Sequence, residues 1–186
     1  MTERNEEKKV ARFYRRKAQR EAVSRWMDRN TPPGYPWRST LVATAWGGVF
    51  AFLWSLTFFT KYHNLYYNVL FEWLHGSSGR RVFNENAVMP EFIEIVDGKL
   101  TGFVILTAAM IGLVGLHYSY HYQGSKSIYT MKRLPKNTEL WRRCITLPVV
   151  LALGSGAVAA GLRALFYVFY MTMTPESAIP PGQWIW

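Results

Sequence analysis

Three long stretches of this chain carry no charged residue: Ser39–Thr60, Leu100–Ser125 and Cys144–Leu162, the last resuming after Arg163 as far as Thr174. Roughly 20 apolar residues in helix cross the hydrocarbon core of a bilayer. The pattern predicts an all-α integral membrane protein with three transmembrane helices, over 39–61, 101–119 and 145–174. Between and around them lie a polar segment at 1–38, a mixed segment at 62–100, a basic loop at 120–144 and a short tail at 175–186.

The polar segment has its own periodicity. Val10, Tyr14, Ala18, Ala22 and Trp26 recur every four residues without Pro or Gly among them, with Phe13, Val23 and Met27 nearby. That spacing predicts a helix over 5–29, amphipathic with a drifting apolar stripe and otherwise basic, suited to anionic headgroups. "NTPPGYP" at 30–36 ends it, because Pro supplies no backbone donor. Ser39 or Thr40 is then the expected cap of the first span. Leu65, Val69, Leu70, Trp73 and Leu74 follow helical spacing up to Gly76, which predicts a short interfacial helix over 64–75. "EFIEIVDG" alternates apolar and charged residues, a weak strand pattern. The whole 62–100 segment reads as too short to carry a core of its own.

Charge adds orientation. The net charge is +10, and of the 22 Lys and Arg residues 11 precede the first span and six lie within 120–144. Four lie between the first two spans, beside five acids. The positive-inside bias predicts a cytoplasmic N-terminus and 120–144 loop, with 62–100 and the C-terminus external. Anionic lipid is the expected companion of the basic face, and no nucleic-acid partner is expected. The first apolar run begins beyond the reach of a signal peptide, so the first span reads as an uncleaved anchor. Cys144 is the single cysteine, which excludes an intrachain disulfide.

Candidate chemistry is sparse. "GSKS" at 124–127 lacks the spacing of a phosphate loop, whose Lys follows its second Gly directly. His117 and His121 share a helix face, a spacing that suits a metal or a haem, but Tyr118, Tyr120 and Tyr122 make an interfacial polar belt the better reading. No cofactor and no metal is expected, and the absence of carboxylate, Cys–His or Ser–His–Asp sets within the spans predicts a protein that is not an enzyme. Arg163 is an intramembrane charge, expected either to snorkel or to meet protein or a substrate path. Pro148 is expected to kink or loosen the start of the third span. Gly156-x-x-x-Ala160 and Ala157-x-x-x-Gly161 allow close helix approach.

The loop divides further. "SKSIYTMKRL" forms a helix-sized unit with Ile128, Tyr129, Met131 and Leu134 as apolar anchors and Lys132 and Arg133 as its basic face. Pro135 stops it, and Asn137 or Thr138 caps the helix entering the third span. The stretch "SKSIYTMKRLPKNTELWRR" resembles the loop between the second and third spans of type-2 ABC exporter permeases. The resemblance implies a coupling helix at 125–134 docked on a separate ATPase subunit, and an elbow-type helix before the first span. Such permeases have six spans and this chain three, so the resemblance implies a small permease subunit in a multi-subunit complex with other membrane chains, in the cell membrane of a bacterium. The alternatives are a non-transport scaffold or accessory subunit, and the anchor of a redox complex.

Overall fold

A computed structural model describes residues 3–73, 81–84, 86–123 and 138–183. The order is α1 (Glu3–Asn30), α2 (Trp37–Ser55), α3 (Thr57–Leu70), β1 (Phe71–Trp73), β2 (Arg81–Phe83), α4 (Phe92–Val96), α5 (Thr101–Gln123), α6 (Thr138–Met173) and a 3-10 turn at Glu176–Ala178. Among the described residues three helical segments are long and apolar enough to cross a membrane: Trp37–Leu70, Thr101–Tyr120 and Thr138–Met173. They contain the first two spans expected from the uncharged runs and all but the last residue of the third. At 1.5 Å per residue the 36 residues of α6 extend about 54 Å, well beyond a hydrocarbon core of roughly 30 Å.

The chain divides into two compact units, residues 1–41 with 110–151 and residues 42–109 with 152–186. In the first, α1 ends where Thr31 turns back on it. The Thr31 amide and hydroxyl both donate to the Met27 carbonyl, at 2.9 and 2.8 Å, with Thr31 and Pro32 buried. Gly34 takes φ +77°, a left-handed conformation that a side chain would strain. Helix α2 begins at Trp37, ahead of the expected caps. Pro36 precedes it, and Ser39, already helical, donates its hydroxyl to the Pro36 carbonyl at 2.7 Å. At the start of α6 Glu139 holds Arg142 and Arg143 at 2.8 and 3.2 Å. These i,i+3 and i,i+4 pairs contribute about 0.3–0.5 kcal/mol each.

In the second unit, α2 and α5 approach closely. A Cβ on Gly102 would stand 2.8 Å from the Ala51 Cα, so only glycine admits the approach. Thr107 and Ser155 join α5 to α6 at 2.9 Å. Ser155 gives its own hydrogen to the Ala152 carbonyl, so Thr107 is the donor of the interhelical bond. The core lies where α3, α4 and the end of α6 meet. Phe58 stacks on Phe166 with centroids 4.4 Å apart, and Phe92, Ile95, Val96 and Tyr170 pack with them. Tyr62 and Thr174 share a hydrogen bond of 3.1 Å, Tyr170 donates to the Pro90 carbonyl at 2.9 Å, and the Met89 amide donates to the Ala178 carbonyl at 2.9 Å.

Within 62–100, Met89, Phe92, Ile95 and Val96 are buried in a core shared with α3 and α6. Two local expectations change. The interfacial helix expected over 64–75 ends at Leu70, because Phe71–Trp73 pairs antiparallel with Arg81–Phe83, Phe71 facing Phe83. The alternating "EFIEIVDG" contains the helix α4, since Phe92, Ile95 and Val96 also fall at helical spacing and that is the set the core buries.

Candidate functional site

Within α6, Pro148 lacks an amide hydrogen, so the carbonyl four residues earlier has no helical donor from that position. That carbonyl belongs to Cys144. It is buried, and it accepts a hydrogen bond from His117 Nδ1 of α5 at 3.1 Å. A carbonyl only accepts, so Nδ1 carries the hydrogen and Nε2 presents its lone pair. Nε2 is buried and has no hydrogen-bond partner among the described residues. The gap that proline leaves in one helix is thus filled by a side chain of another. The helix runs on through Pro148 to Met173.

The same imidazole anchors the linker before α2. Tyr35 meets His117 edge to face with centroids 4.3 Å apart, and meets Tyr120 at 5.4 Å. The Tyr120 hydroxyl donates to the Gly34 carbonyl at 2.8 Å, and the hydroxyls of Tyr35 and Thr40 lie 2.7 Å apart. Tyr118, one residue beyond His117, stacks against Trp141 with centroids 6.3 Å apart. Four pieces of chain therefore converge on one point: the 31–36 linker, the start of α2, the end of α5 and the start of α6. Leu147 and Pro148 close it from the α6 side, both fully buried.

The spacing places His117 in an interfacial polar belt with Tyr118 and Tyr120. The structure buries His117 completely and leaves Tyr118 and Tyr120 exposed. The available signal was the proline placed four residues after Cys144, which leaves a carbonyl wanting a donor. His121 lies one turn further along α5, and its side chain is outside the described residues. Ile128, Tyr129, Met131, Lys132, Arg133 and Leu134 also lie outside them. Arg163 is half-buried in α6, ten residues or roughly 15 Å before the helix ends. Among the described residues no group of three or more His, Cys, Asp or Glu side chains is placed to hold a metal ion.

Comparison with protein-family models, curated proteins and solved structures finds no match for this chain.

Proposed function

We propose that this chain is a non-catalytic membrane subunit of an ABC-type transport complex. In this reading the 125–134 segment docks on a separate ATPase subunit through Ile128, Tyr129, Met131 and Leu134, with Lys132 and Arg133 steering, and passes the ATPase's conformational cycle to α5 and α6. The N-terminus and the 120–144 loop face the cytoplasm, as the distribution of Lys and Arg favours.

One observation carries the reading. The His117–Cys144 bond ties α5 to α6 within a turn or two of the residues that lead into and out of the 124–137 segment. A displacement of that segment reaches two spans as one unit, and reaches the linker to α2 through Tyr35 and Tyr120. A mechanical subunit needs such a junction more than it needs catalytic groups. In the most apolar stretch of each span between 17% and 22% is buried, which is compatible with lipid or with other membrane chains packed against it.

Affinity isolation of the tagged full chain from detergent-solubilised membranes tests the proposal. The expected result is co-isolation of a protein whose sequence carries nucleotide-binding motifs, identified by mass spectrometry, and its loss with Met131→Glu combined with Leu134→Glu. Isolation without any nucleotide-binding protein, or unchanged association in the double variant, would overturn it.

A further inference from the structure

Beside α1 lies a groove of about 620 Å³ whose walls all belong to the first unit. Arg16, Gln19, Arg20, Val23 and Ser24 form one wall. Their spacing of i, i+3, i+4, i+7 and i+8 is a single face of a helix. Trp37 and Arg38, the first two residues of α2, form the other wall, with the Arg38 guanidinium 5.3 Å from the Trp37 ring centre. Among the described residues no carboxylate lines the groove, and the first turn of α2 holds no acid.

We infer that this groove binds one anionic phospholipid, its phosphate between Arg16, Arg20 and Arg38 and its glycerol end against Trp37. Three guanidiniums facing one open space without a carboxylate select a phosphate, which each can bind through two parallel donors. Position selects a lipid over a soluble anion. Trp37 begins the first membrane-long helix, and Trp gathers where headgroups meet hydrocarbon. Val23 supplies an apolar floor that a free phosphate does not need. The site rests on the chain being membrane-embedded, but not on an ATPase partner, so a failed ATPase isolation leaves it standing.

Native mass spectrometry of the full chain in detergent, with phosphatidylglycerol or phosphatidylcholine added, tests the inference. Wild type should retain one phosphatidylglycerol in preference to phosphatidylcholine. Arg16→Gln with Arg20→Gln should lower retention about twenty-fivefold, taking roughly fivefold per arginine at an anionic surface. Arg25→Gln with Arg29→Gln is the charge-matched control, each residue being nine further along α1 and so on its opposite side. It should retain the lipid as wild type does, with circular dichroism confirming equal helix content in both variants. Equal loss in the two variants would overturn the inference in favour of diffuse attraction. So would equal retention of the two lipids, or displacement of the lipid by excess inorganic phosphate.

Discussion

At position 148 a proline removes a backbone donor, and the Cys144 carbonyl loses the partner that an uninterrupted helix would supply. His117 supplies the replacement from α5. Removing His117 leaves a buried carbonyl unsatisfied, at a cost of about 1–3 kcal/mol, beyond the cavity left by the ring. Pro148→Ala returns an amide hydrogen to α6 at the position where it reaches that carbonyl. His117→Ala should therefore cost about 1 kcal/mol less in the Pro148→Ala background than in wild type, a coupling within the range of contacting residues. Thermal unfolding of the four detergent-solubilised proteins measures it, and equal costs in the two backgrounds would mean that the histidine is not the stand-in donor. The sequence marks each half of this pair, a proline in one span and a histidine in another. Their register comes only from the fold, because nothing local brings residue 117 to residue 144.

Among the elements, the long helices were legible because an uncharged run of 20 or more residues has few other uses. Their contacts were less so. Gly102 is one of several small residues in α5, and only the structure distinguishes it by placing Ala51 against it, whereas a Cβ on Gly112 meets nothing within 4 Å. Gly102→Ile should lower stability by about 1–3 kcal/mol through overpacking. Gly112→Ile should stay within about 0.5 kcal/mol of wild type. Thermal stability in detergent reports both, and equal effects would contradict the close approach of α2 to α5. The short elements were misread for a shared reason: in five-residue stretches two periodicities coexist. "FIEIV" satisfies both alternation and helical spacing, and burial of Phe92, Ile95 and Val96 decides for helix. Trp73 continues the helical register of Leu65, Val69 and Leu70, and pairing of Phe71–Trp73 with Arg81–Phe83 decides for strand.

For the whole molecule, three apolar helices among the described residues support a multi-pass membrane protein. The functional reading adds that the 125–134 segment meets a motor subunit where a lipid surface would otherwise serve. A photo-crosslinking residue in place of Met131, irradiated in native membranes and followed by mass spectrometry of the adducts, asks which of the two it meets. The account predicts a covalent adduct with a nucleotide-binding subunit, abolished when Leu134 is also changed to Glu. Adducts with lipid alone would contradict it.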